Sequence, residues 1–295
     1  MLYAKMILMA VFWSGVFPAV NILLKSMELF TAVFLRFGAA ALLLLALLRW
    51  QQGRWPRLSP REAVLVCVLG VVGIALYNSL FTAGLGLVEA SRAALIVPTN
   101  PAFTALFAAL LLGERLGAVR AAGVALSVSG ALWVLCRGEP ASFLQMQFGL
   151  GELYLVLCIF TWSAYTLLGR VALASIPELA LTAYVMAVGT LPLALLAGHE
   201  QATVQASLAS VAWQGWAALA YLVVFGTVIP FLWYYEGVKA LGAARAAQFI
   251  NLVPPLAVAE SVLLLGEPFT PALLVGAALV VAGLSLTNRA RVTPA

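Results

Sequence analysis

Apolar residues run through this chain in long blocks, without the alternation of a sheet or the narrow stripe of a soluble helix. Ten blocks stand between short polar connections, at about 4–24, 29–49, 63–84, 91–112, 117–136, 149–170, 178–197, 213–237, 243–265 and 270–288. Runs of about 20 apolar residues are the length an α-helix needs to cross the hydrocarbon core of a bilayer. The longest connections, 50–62, 137–148 and 198–212, leave no room for a soluble catalytic domain. The pattern predicts an all-α integral membrane protein of ten transmembrane helices. The first block, MLYAKMILMAVFWSGVFPAVNILL, shows no small-residue cleavage site and reads as a retained helix.

Composition agrees, and charge adds orientation. Of 295 residues 64% are hydrophobic and 9% charged, which a soluble domain cannot arrange around a core. The net charge of +5 is not gathered into a basic face, so nucleic acid is not expected as a partner. The cations sort by connection instead. With the N-terminus inside, Lys5, Arg49, Arg54, Arg57, Arg61, Arg115, Arg120, Arg170, Lys239, Arg245, Arg289 and Arg291 fall inside, and Lys25, Arg92 and Arg137 outside. Arg36 falls within a span. Such a bias puts both termini in the cytoplasm.

The chain repeats itself. Shifted by 153 residues, Arg92-Ala93-Ala94 falls on Arg245-Ala246-Ala247, Pro101 on Pro254, and Leu110–Glu114 (LLLGE) on Leu263–Glu267 (LLLGE). Gly123 and Gly130 fall on Gly276 and Gly283. A shift of 149 puts Trp13-Ser14 on Trp162-Ser163. Two five-helix units are expected, 1–140 and 141–295. Five is odd, so the second unit runs through the membrane inverted. Inverted repeats are a recurring build of secondary transporters, with the substrate near the midplane between the halves.

These features resemble the drug/metabolite transporter superfamily in its ten-helix EamA-type branch. The resemblance covers nearly the whole chain. It rests on the FWS and TWS starts of helices one and six, on Leu35-Arg36-Phe37, and on the Pro-containing fourth and ninth helices that end in LLLGE. It implies a cavity lined by helices one, three, four, six, eight and nine, and it points to amino-acid exporters of the bacterial inner membrane as the best guide. The chain lacks the first-helix Glu of the superfamily's cation exporters and the paired basic residues of its nucleotide-sugar carriers, which disfavours quaternary cations and highly anionic cargo.

Polar groups are scarce at membrane depth, so each one is a candidate for the site or for internal packing. Trp13, Phe17 and Asn21 recur every four residues and form one stripe of helix one. Trp162 and Thr166, with Tyr165 beside them, occupy the matching places in helix six. Tyr77, Asn78 and Phe81 are expected on one face of helix three, Asn100 in helix four, and Gln248 and Asn251 in helix nine. Amides and aromatic rings together suit a small zwitterion or amphipathic solute. Arg36 lies about 12 Å and Glu260 about 10 Å below the same boundary, counting 1.5 Å per residue from Glu28 and Glu267. They read as a structural ion pair or a snorkelling Arg, or else Arg36 meets a substrate carboxylate or Glu260 takes a proton in coupling. Pro98, Pro101, Pro254 and Pro255 each remove a backbone donor and are candidate hinges.

Cys67, Cys136 and Cys158 form no CxxC pair, and His199 stands alone in a loop, so no metal site, disulfide framework or cofactor is expected. No P-loop, GxSxG or intramembrane HxxxH is present, so ATP drive and hydrolysis have no visible machinery and an enzyme is not expected. The reading is a secondary transporter that exports amino acids or related small polar metabolites by alternating access, with the bilayer and a small-molecule substrate as partners and protons as a candidate coupling ion. A facilitator or drug exporter of the same fold, and a non-transporting membrane interaction protein, stand as alternatives.

Overall fold

A computed structural model describes residues 2–112, 117–139, 149–204, 208–241 and 249–289. Among them every regular element is helical. We number the spans α1 (Leu2–Leu24), α2 (Leu29–Gln52), α3 (Pro60–Leu87), α4 (90–112), α5 (Ala118–Leu135), α6 (Leu150–Ala172), α7 (Glu178–Val204), α8 (213–241), α9 (Val253–Leu265) and α10 (Pro271–Arg289). Seven of them, α1–α3 and α5–α8, are long and apolar enough to cross a membrane by length and composition. The described parts of α9 and α10 are shorter apolar helices, and α4 is broken. The protein is an all-helical membrane protein.

Several spans break where the sequence withdraws a backbone donor. A Pro cannot donate to the carbonyl four residues earlier, and its ring crowds that carbonyl. In α1 the helix divides into Leu2–Ser14 and Val16–Leu24, and Pro18 is the residue that would have bonded Ser14. In α8 a π-helical turn covers Val224–Val228, and Pro230 would have bonded Gly226. In α4 the helix Ala90–Ile96 passes through a 3₁₀ turn, Val97–Thr99, into Asn100–Leu112, with Pro98 in the turn and Pro101 just after it. α3 carries a second π segment, Gly70–Leu76, without any proline. In the ninth span the break falls at residues 251–252, so Pro254 and Pro255 sit in the first turn of α9 and do not kink its middle. There their missing N–H groups have no intrahelical partner to lose.

Contacts between chain ends sort the connections into two groups. At one end Lys5 pairs with Glu236 at 2.7 Å, and the Tyr184 hydroxyl donates to Pro56 O at 2.9 Å. At the other end two carboxylates close helix N-termini. Glu200 accepts from Phe30 N, Thr31 N and the Thr31 hydroxyl, at 3.0, 2.7 and 2.8 Å. Glu267, the last residue of the second LLLGE, accepts from Ala90 N and Ser91 N at 2.7 and 2.8 Å. A carboxylate there satisfies orphan donors and meets the positive end of the helix dipole. Arg92, counted above as a loop cation, is instead buried in α4. It pairs with Glu152 at 3.1 Å and donates to Leu135 O. A buried ion pair carries no information about orientation.

Small residues let helices approach to backbone distance. α5 runs antiparallel along α10, where a Cβ on Gly283 would strike Ser127 and come within 2.7 Å of Gly123 O. A Cβ on Gly123 would lie 2.8 Å from Gly283 O, and one on Gly276 would lie 3.4 Å from Gly130 O. Gly70 of α3 and Gly189 of α7 cross in the same way, with a Cβ on either meeting the other's backbone at 2.8 or 2.5 Å. Such contacts hold helices together where burial of apolar surface gives no drive.

Candidate substrate site

The breaks of α1, α3, α4 and α8 bring the sequence's candidate residues towards one another. From α1, the buried Phe17 ring meets Phe81 edge-on at 5.5 Å. Phe81 stacks on Tyr77 at 6.0 Å, Tyr77 meets Trp162 at 4.8 Å, and Trp162 meets Tyr165 at 5.3 Å. One aromatic chain therefore joins α1, α3 and α6. The Tyr165 ring occupies the place a Cβ on Gly73 would need, so the glycine in the π segment of α3 is what admits it. Trp13 belongs to a separate group, 5.7 Å from Phe231 and 5.6 Å from Tyr234 of α8. Trp233, on the same turn of α8, stacks instead on Phe12.

Polar groups border the chain of rings. Arg36 is buried, 8% exposed, and its Nε donates to the Thr227 hydroxyl at 3.3 Å. Thr227 lies in the π turn of α8 and donates in turn to Leu222 O at 2.9 Å. Tyr77 lies within electrostatic reach of Arg36, and Asn100 lies beside the Tyr77 hydroxyl. Asn100, at the break of α4, is buried with its Oδ1 lacking a partner. A buried acceptor left unpaired is costly, and a donor arriving with a ligand removes that cost. A cation, an aromatic wall and an amide acceptor together can receive a carboxylate, an apolar side chain and an ammonium group.

Other candidates serve the helices themselves. The Asn78 amide donates to Gly73 O and Ile74 O at 3.3 and 3.0 Å, satisfying carbonyls that the π segment leaves exposed. The Thr166 hydroxyl donates to Trp162 O at 2.9 Å. Asn21 is half-buried in α1, and Asn251 is buried at the turn that precedes α9. Gln248 lies outside the described residues.

Arg36 and Glu260 do not form an ion pair. Arg36 touches Thr227, whereas Glu260 Oε1 lies 2.8 Å from the Ser14 hydroxyl and Oε2 is buried against Gly15 without a partner. The two charges reach different neighbours at the α1 break, Arg36 beside Val16 and Gly226, Glu260 beside Ser14 and Gly15. Glu260 lines a groove of about 790 Å³ between α1, α8 and α9, walled by Pro18, Ala217, Tyr221 and Leu264 and ending at Lys25 and Gln214. Ser14, Thr227 and Tyr221 were not singled out by the sequence. Ser14 carried a signal through its repeat match to Ser163, which itself takes a hydrogen bond from Thr104 at 3.2 Å.

The architecture is that of a polytopic membrane protein with broken helices around a polar centre, and family comparison gives it a place. The EamA-like transporter family matches twice, over residues 1–136 and 149–289. The chain belongs to this family and is a membrane transporter. It is 30% identical over 248 residues to the uncharacterized transporter YyaM of Bacillus subtilis (strain 168), covering 84% of this chain and 80% of that protein. It is 29% identical over 289 residues to a probable terminal-alkyne amino-acid exporter of Streptantibioticus cattleyicolor, covering 96% and 92%. A solved crystal structure shares the fold with a TM-score of 0.65 at 20% identity, covering 96% of each chain.

Proposed function

We propose that this transporter exports amino acids or similar small zwitterionic metabolites across the bacterial inner membrane. The two units, 1–140 and 141–295, act as inverted halves that alternate access to a site at Arg36, Tyr77, Asn100 and Trp162. The observation that carries the reading is Arg36, a buried cation that hydrogen-bonds a neutral hydroxyl and lies 4.9 Å from the centre of the Phe37 ring. Among the described residues no carboxylate lies within ion-pair distance of it. A cation at membrane depth is retained against a substantial cost, and a substrate carboxylate arriving beside aromatic rings offsets it. The Streptantibioticus relative, a probable terminal-alkyne amino-acid exporter, supports the same substrate class.

Counterflow in proteoliposomes tests this. Vesicles loaded with an unlabelled amino acid are expected to accumulate the labelled form from a panel of neutral and aromatic amino acids. Arg36→Met keeps the volume and removes the charge. It is expected to leave thermal stability unchanged or higher, since a buried charge is replaced by an apolar chain. Exchange is expected to fall about tenfold or more, the scale of one hydrogen bond to a charged group. Accumulation that does not depend on Arg36, or none for any amino acid in the panel, would sink the assignment.

A further inference from the structure

The contacts of Glu260 contain a proton count that does not close for the ionised form. The Ser14 hydroxyl has one proton and two acceptors within reach, Val11 O at 2.7 Å and Glu260 Oε1 at 2.8 Å. The Tyr221 hydroxyl has one proton and gives it to Phe12 O at 3.0 Å, although it lies beside Glu260 Oε2 at Gly15. If Glu260 is a carboxylate, either Ser14 abandons Val11 O or Oε1 faces an oxygen without a proton between them, and Oε2 has no donor among the described residues. If Glu260 is a carboxylic acid, every proton has a place. The acid donates to Ser14, Ser14 donates to Val11 O, and Tyr221 donates to Phe12 O. A neutral carbonyl oxygen at Oε2 then tolerates its lack of a partner far better than a charged one.

We propose that Glu260 is the exchangeable proton site of this transporter, filled and emptied through the groove between α1, α8 and α9, and that Ser14 and Tyr221 transmit its state to the break in α1. This rests on the transport reading above and names its coupling ion. On release, the carboxyl O–H bond breaks, its electron pair stays on the carboxylate, and the proton passes to water in the groove. The new carboxylate then draws the hydroxyl protons of Ser14 and Tyr221 towards itself, because a charge-assisted hydrogen bond is roughly twice as strong as a neutral one. Val11 O and Phe12 O lose these bonds together. Both belong to the turn that ends at the Ser14–Gly15 division, where Pro18 already leaves the Ser14 carbonyl without its donor. Trp13 lies in the same turn, with its ring against Phe231 and Tyr234. One turn of helix therefore has the proton on one side and the rings of Phe231 and Tyr234 on the other.

The surroundings leave the charge change to Glu260. Ser14 of α1 and Tyr221 of α8 face it, and Lys25 stands at the far end of the groove. Elsewhere on elements packed against α9, Lys5 of α1 pairs with Glu236 and Arg92 of α4 with Glu152. The described side chains of α10 are uncharged.

Two measurements on the full chain test the proposal. The first compares wild type and Glu260→Gln in proteoliposomes, by exchange without a gradient and by net amino-acid flux under a pH gradient. Exchange is expected to persist and the gradient stimulation to be lost. A wild-type flux that ignores the gradient, or a Glu260→Gln flux that still follows it, overturns the proposal. The second needs no transport and so stands apart from the substrate assignment. Dicyclohexylcarbodiimide, an apolar reagent for protonated carboxyl groups, is applied across a pH series, and labelling of Glu260 is read by peptide mass spectrometry. Labelling is expected to fall as pH rises. The midpoint is expected to move to higher pH in Ser14→Ala, since the ionised form loses a donor. A midpoint that Ser14→Ala leaves in place also overturns the proposal, whatever the fate of Glu260→Gln.

Discussion

Single side chains in this protein divide between those that wait for something and those already engaged. Asn78 and Asn100 look alike in the sequence, as amides in apolar helices. One spends its donors on the carbonyls of its own π segment, while the other keeps an acceptor unpaired. Spacing could not separate them, because a π segment shifts the face a residue presents and leaves no mark of its own in hydropathy. The scarcity of charge did expose Arg36 and Glu260, but their separate partners are tertiary facts that no count of depth contains. Glu267 was legible only as part of a repeated motif, and its work is a cap. Replacing it leaves Ala90 N and Ser91 N without their acceptor. Glu267→Ala is expected to cost about 1–2 kcal/mol of stability, seen as a lower thermal midpoint in detergent, with exchange per folded molecule retained. An unchanged midpoint would mean that water serves those donors equally well.

Among the helices, continuity was easier to foresee than shape. Apart from α9, which starts ten residues inside its block after the break at 251–252, the apolar blocks coincide with the spans to within a few residues where the ends are described, because block length is set by bilayer thickness. The positions of the breaks in α1, α4 and α8 follow from Pro18, Pro98 and Pro230, each one turn after or inside the irregular segment. The π segment of α3 has no such marker. If the α1 break is a working hinge, restoring its missing bond should trade motion for stability. In Pro18→Ala the new N–H can reach Ser14 O. The thermal midpoint is expected to rise, recovering part of the roughly 3 kcal/mol that an interior proline costs, and counterflow is expected to slow. A faster or equal exchange rate in the more stable variant would remove the hinge role.

For the molecule as a whole, the contacts fix which connections lie together without saying which side is cytoplasmic. Lys5–Glu236 and Tyr184–Pro56 gather one end, and Glu200–Phe30 and Glu267–Ala90 gather the other. The bias of Lys and Arg supports the proposal that the first end is the cytoplasmic one. Single cysteines at Gln51 and Ser175, placed in a chain whose native cysteines are replaced, are expected to react with an impermeant maleimide only in inside-out vesicles. Cysteines at Ser26 and Ser210 are expected to react only in right-side-out ones. Mixed labelling within either pair would break the ten-span alternation, and with it the inverted-halves mechanism.

The glycine contact between α5 and α10 has a property that reaches beyond packing. Gly123 approaches Gly283, and Gly130 approaches Gly276. The shift of 153 residues carries 123 to 276 and 130 to 283, so it exchanges one contact for the other. A patch that binds its own equivalent is the geometry by which two identical chains form a closed dimer. Each half thus carries on its last helix a surface fit to pair with a copy of itself. With the halves inverted as proposed, a gene for one half, inserted into the membrane in both orientations, would have had the means to assemble before the two copies were joined.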